Sequence, residues 1–216
     1  MAKRQGTAEQ TTRGPRDPER PAGDAPRRPR GPRKVTPRAL ENAAVFYLQR
    51  FSASTARVRR VLERRVERSA RAHPEVDRTE AAGWIEDVLA RLQRAGLLDD
   101  ARHAETRAGA LHRRGDSRRA IAARLRADGV DRADIAAALD GVAAEAAGPD
   151  PDLVAAATLA RRRRLGPYRG DAAARAAHRQ RDLAALARKG FPARIALAVL
   201  DAADVEALEA LVTDGG

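Results

Sequence analysis

The sequence predicts an all-α protein. Three tandem three-helix repeats form an elongated curved stack, preceded by a disordered basic N-terminal tail. Three observations lead there. Only six of 216 residues are aromatic, so Ala and Leu must supply most of the core, and both favour helices over strands. Apolar residues recur at three- and four-residue steps between capping residues. The whole pattern then returns in step further along the chain.

The elements follow in order. Residues 1–37 hold seven of the twelve prolines and no Phe, Tyr, Trp, Ile or Leu. Such a segment buries too little apolar area to offset its ordering entropy, so it reads as a disordered tail. Thr36 then caps a helix that starts at Pro37. Leu40, Ala43, Ala44, Tyr47, Leu48 and Phe51 form its inward face. Ser54 caps a second helix through Val58, Leu62 and Val66. After a polar stretch, a third covers about 84–95 and ends at Gly96.

The second round opens at Asp99 or Asp100 and breaks at Gly115. Ser117 caps the next helix, which stops at Gly129. Asp131 opens a short helix with Ile135, Ala138 and Leu139 inward, and Asp140-Gly141 reads as its stop. The third round starts at Asp150-Pro151 and runs to Gly166-Pro167. A helix over about 171–189 stops at Gly190, and the last covers about 192–211. A shift of 63 residues lays Leu48, Ser54, Val58 and Leu62 on Leu111, Ser117, Ile121 and Leu125. A shift of 61 lays Leu125, Gly129, Val130 and Leu139 on Leu186, Gly190, Phe191 and Leu200. The repeats are therefore 38–97, 98–147 and 148–216, the last with a short acidic end. One such unit leaves an apolar face that its neighbour covers.

Charge narrows the function. The net +12 is concentrated in residues 1–37 (+6) and 161–194 (+9), while 195–216 carries −5. A positive field draws polyanions or an acidic protein surface. Zero Cys excludes disulfides and thiolate metal sites, and no apolar run suits a membrane span or a secretory leader. The four His make no metal-binding pair, and no phosphate-cradling lysine motif or nucleophile with a partner base occurs. Asp99-Asp100 reads as a helix cap. An enzyme is not expected, nor a metal or cofactor; a cytoplasmic monomer is.

The candidate contacts are basic. Arg161, Arg162, Arg163 and Arg164 splay around a helix, so two or three of them can reach phosphates or carboxylates. Arg169, Arg175, Arg179, Arg181, Arg188 and Lys189 extend the patch, and Tyr168 either stacks on a base or plugs its turn. Arg57, Arg60 and Arg64 form a second stripe, with Arg118 and Arg119 on the matching helix of the next repeat.

Several stretches resemble the RecX regulatory proteins of bacteria. Gly96-Leu97-Leu98-Asp99-Asp100-Ala101-Arg102-His103-Ala104 is similar to the family's first-to-second unit junction, and so is SRRAIAARLRADG at Ser117–Gly129. RRRRLGPYR at Arg161–Arg169 and LARKGFPARIALAVL at Leu186–Leu200 resemble the start and close of its last unit. The likeness covers about residues 38–205. His103 departs from it by standing where an aromatic is usual, and Val66 by standing where a helix-ending Gly is common. The resemblance implies three three-helix repeats that bind the RecA recombinase in the groove of its filament on DNA. It implies inhibition of strand exchange, ATP hydrolysis and the coprotease activity that triggers the SOS response in DNA repair. The alternative is a stand-alone basic helical nucleic-acid-binding protein.

Overall fold

Helices carry the chain throughout the computed structural model, which describes residues 33–146 and 150–214. No strand occurs among the described residues. In chain order the helices are α1 (Pro37–Leu48), α2 (Thr55–Ala72), α3 (Arg78–Arg94), α4 (Asp100–His112), α5 (Arg118–Asp128) and α6 (Arg132–Glu145). Then come α7 (Pro151–Arg163), a 3-10 turn at Gly166–Tyr168, α8 (Ala172–Arg188), α9 (Ala193–Asp201) and α10 (Val205–Asp214). The expected tail lies outside the described residues except for its last five. Within those, Val35 is buried and its N–H donates to Ser69 Oγ at 2.9 Å, so the core starts before residue 38.

Capping sets most of the boundaries. Thr36, Ser54, Asp99, Ser117, Asp131 and Asp150 each accept a hydrogen bond from a first-turn N–H, as their positions predicted. Four boundaries differ from expectation. First, α1 ends at Leu48, so Phe51 falls outside it and is 56% exposed rather than inward. Second, α3 begins at Arg78 because Asp77 caps it, accepting from Thr79 and Glu80 N–H. Third, α6 runs through Gly141 to Glu145: Val142 is buried in the core, and that outweighs the ~1 kcal/mol a helical glycine costs. Fourth, the last helix is broken after Asp201. There Arg175 donates to the Ala202 and Ala203 carbonyls, and Asp204 restarts the helix by accepting from Ala207 N–H.

Three apolar clusters follow one another along the chain. Leu40, Val58, Leu62, Ile85 and Leu89 belong to the first, where α1, α2 and α3 meet. Leu111, Ile121, Leu125 and Ile135 belong to the second, among α4, α5 and α6. Leu159, Leu186, Ile195, Val199 and Leu208 belong to the third, which α10 closes by packing on α7. Burying one such Leu or Ile stabilises by ~1.5–3 kcal/mol.

The clusters are joined by two seams built alike. Ser54 Oγ accepts from Arg57 N–H and donates to the Asp128 carbonyl at the end of α5, 2.6 Å away. Ser117 Oγ accepts from Ala120 N–H and donates to the Lys189 carbonyl at the end of α8, at 2.7 Å. Each hydroxyl thus caps two helices, one at its amino end and one at its carboxyl end. An acid from the following unit assists in both cases. Asp100 accepts from Thr55 N–H at 2.7 Å, and Asp152 accepts from Arg118 N–H at 2.8 Å. The glycines explain themselves here. Gly129 (φ 86°) and Gly190 (φ 85°) turn left-handed at the helix ends, where a Cβ would lie 2.4 Å from Ala56 Cβ and 2.8 Å from Ser117 Oγ. The carboxyl end of α8 therefore abuts the amino end of α5, and that of α5 abuts α2.

Candidate protein and nucleic-acid interface

The seams fix where the basic side chains go. Several are held within the fold. Arg57 donates to Tyr47 Oη at 3.0 Å and pairs with Asp128 at 3.3 Å. Arg60 donates to the Ala127 and Asp128 carbonyls, adding a third clasp to the first seam. At the second seam Lys189 pairs with Asp116 at 3.4 Å, and Arg118 lies 3.7 Å from Asp140. Arg162 donates to the Arg114 carbonyl at 2.6 Å. Arg175 caps the end of α9, and Arg179 pairs with Asp201 at 2.8 Å.

Arg169 is bound most firmly. Its Nε and Nη2 donate to the two oxygens of Asp182, at 2.8 and 2.6 Å, and Gly166 N–H adds a third bond at 3.1 Å. Asp182 is 1% exposed. Burial pushes its carboxyl up, but the Arg169 fork and the Gly166 N–H outweigh burial and hold it below the usual carboxylate range. The pair locks the turn between α7 and α8. Tyr168 sits in that turn, half-buried against the third cluster, and burial raises its hydroxyl.

The remaining candidates are available. Arg64, Arg119, Arg161, Arg163, Arg164, Arg181 and Arg188 are exposed and make no hydrogen bond or ion pair among the described residues. They fall into a pattern: Arg64 is on α2, Arg119 on α5, and Arg181 and Arg188 on α8, the three helices that meet end to end at the seams. Arg161, Arg163 and Arg164 gather at the end of α7, with Arg164 left-handed at φ 54°. The local net charge is balanced elsewhere by tertiary pairing, which charge counting along the sequence does not register.

No cluster of three or more His, Asp or Glu able to hold a metal occurs among the described residues. No helix among them is long and apolar enough to cross a membrane. His103 fills a core position, 7% exposed, with Nδ1 2.8 Å from Ser52 Oγ and Nε2 without a partner. Burial lowers its pKa, against the pull of Asp128 and Asp100. Sequence reading did not single out the most exposed large apolar side chains among the described residues, Phe46, Phe51 and Leu97.

Comparison with known proteins accords with this architecture. The family described as RecX, second three-helix domain, matches residues 99–139, which are α4 through most of α6. The regulatory protein RecX of Myxococcus xanthus (strain DK1622) is 44% identical over 81% of this chain and 91% of its own length. Those of Thermobifida fusca (strain YX) and Amycolatopsis mediterranei (strain U-32) are 39% and 41% identical over 52% and 53% of this chain, and 57% and 62% of their own lengths. No solved structure matches. With its capping serines and helix-ending glycines serving as joints between three-helix units, and with a relative matched over nearly its full length, this chain belongs to the RecX family of regulatory proteins.

Proposed function

We propose that this protein modulates RecA by lying along the RecA–DNA filament as a monomer, inhibiting strand exchange, ATP hydrolysis and coprotease activity. It works in the cytoplasm, without catalysis of its own and without a cofactor, and restrains the SOS response. Residues 38–97, 98–147 and 148–216 are the three units that span neighbouring filament subunits. The observation that carries this reading is the recurrence of unpaired arginine on α2, α5 and α8 across two like seams. Exposed cations recurring on helices joined end to end support contact with a repeating anionic track, whether phosphate or acidic protein. Inhibition follows from unequal binding to the filament's states, since a ligand shifts an equilibrium only by its differential affinity.

The test is RecA ATPase on single-stranded DNA with the protein added at stoichiometric amounts. Falling turnover is expected, and unchanged turnover with the cognate RecA removes the proposal. The second reading, a stand-alone nucleic-acid-binding protein, draws on the same exposed arginines. It requires tight binding to DNA without RecA, with each lost phosphate contact lowering the salt slope by about 1. Titrating DNA and assembled filament at two salt concentrations separates the two.

A further inference from the structure

The exposed arginines leave one corner of the molecule unexplained. Where the first unit meets the second, a notch of about 180 Å³ opens, with Leu48, Phe51 and Leu97 on its apolar side and Asp99, Arg102 and His103 among its polar walls. Phe51 and Leu97 line it while 56% and 55% exposed. The Phe51 ring packs on Tyr47, centroids 5.2 Å apart, so it is held in place while one side faces the notch.

Leu97 is exposed against the habit of its own fold. At the ends of α3, α5 and α8 the residue after a left-handed glycine donates its N–H back into the last turn. Leu97 donates to Leu92, Val130 to Leu125 and Phe191 to Leu186. In this motif the apolar side chain at that place folds onto the helix it ends. Val130 and Phe191 do so, 5% and 4% exposed. Leu97 does not, because its neighbour Leu98, 4% exposed, takes the core position instead. Neither Phe51 nor Leu97 is therefore consumed by folding.

Charge selects the occupant. The caps of α4 and α6 bring Asp99, Asp100, Asp131 and Asp134 close together. Burial and then repulsion from the other three hold the Asp134 carboxyl above its ordinary range. Asp99, Asp131 and Asp134 form no ion pair among the described residues. Asp99 lines the notch with Arg102 beside it, and the other three carboxylates extend an acidic patch next to it, on a chain of net charge +12. The patch repels a phosphate backbone and favours a cation beside an apolar group.

We infer that this notch seats one large apolar side chain of a protein partner, carried next to a lysine or arginine. Resting on the function proposed above, the partner is RecA itself and not the DNA. The notch then anchors the protein through Phe51 and Leu97 while the exposed arginines meet anionic surface elsewhere. Hot spots of this kind, an apolar side chain in a shallow pocket with a charged rim, dominate protein interfaces.

The full chain, Phe51→Ser with Leu97→Ser, and separately Asp134→Lys are titrated against RecA filaments on single-stranded DNA and against that DNA alone, with thermal melts as a control. The double variant should bind filament at least ten-fold more weakly, with DNA binding and melting unchanged. Asp134→Lys should bind filament several-fold more weakly and DNA no more weakly, and serves as the independent reading should the double variant melt early. Full-strength filament binding by both variants overturns this inference alone. Parallel loss of DNA binding also overturns it, by making the notch a nucleic-acid contact. An unaltered chain that does not bind filament overturns the proposed function, and the notch's assignment to RecA falls with it.

Discussion

Asp182 shows how a single residue changes meaning once its neighbours are known. In the sequence it is one of two acids in a basic stretch; in the fold it is the buried partner of Arg169. Removing one member of a buried pair leaves the other charge stranded. Arg169→Met should therefore cost ~3–5 kcal/mol in urea unfolding at pH 7. The folded carboxyl lies below its ordinary 3.8, so its stabilisation is present above that value and is lost as pH falls toward the folded one. The variant and the parent should converge there. His103 titrates in a different window. Burial depresses the folded pKa below 6.5, so the unfolded chain takes up its proton first and stability declines as pH falls below that value. His103→Phe should weaken this acid dependence, and unfolding measured at pH 8 and pH 5 reports it as a smaller drop in the variant. The departure from an aromatic at this position is thus a source of pH sensitivity.

At the scale of elements, glycines divide by what they touch. Gly129→Ala and Gly190→Ala combine a left-handed backbone with a blocked Cβ, and each should cost ~2 kcal/mol or more. Gly141→Ala meets open space inside α6 and should gain ~1 kcal/mol. Denaturant midpoints with an unchanged slope decide both signs. This contrast also marks how far the sequence could be read. Ser54, Ser117, Gly129 and Gly190 were legible as caps and stops from local spacing alone, and so was the helical class. That the same four residues join units was not, because their partners lie 72 to 74 residues away in the two hydroxyl bonds. Gly141 misled because local grammar does not reveal that Val142 is buried. The basic run suffered likewise. Arg162 and Arg163 look alike in sequence, yet only Arg162 finds a carbonyl, that of Arg114, within reach.

Across the whole molecule, the two seams use different residues at opposite ends of α5, some ~16 Å apart for eleven residues of helix. Their effects should add. Ser54→Ala and Ser117→Ala each remove a cap and strand a carbonyl, at ~1–3 kcal/mol apiece. The double variant should fall within ~0.5 kcal/mol of the sum, as nearest-neighbour coupling in repeat proteins requires. A larger discrepancy in equilibrium unfolding would mean that α5 transmits strain from one junction to the other. The joints also have a handed sequence of ends: amino end of α8 first, then α5, then α2, with nothing to make the reverse order equivalent. A body so constructed is an arrow. Flipped end for end, it would meet a directional fibre with mismatched groups, so on such a fibre it would sit facing one way only, and successive molecules would all point alike.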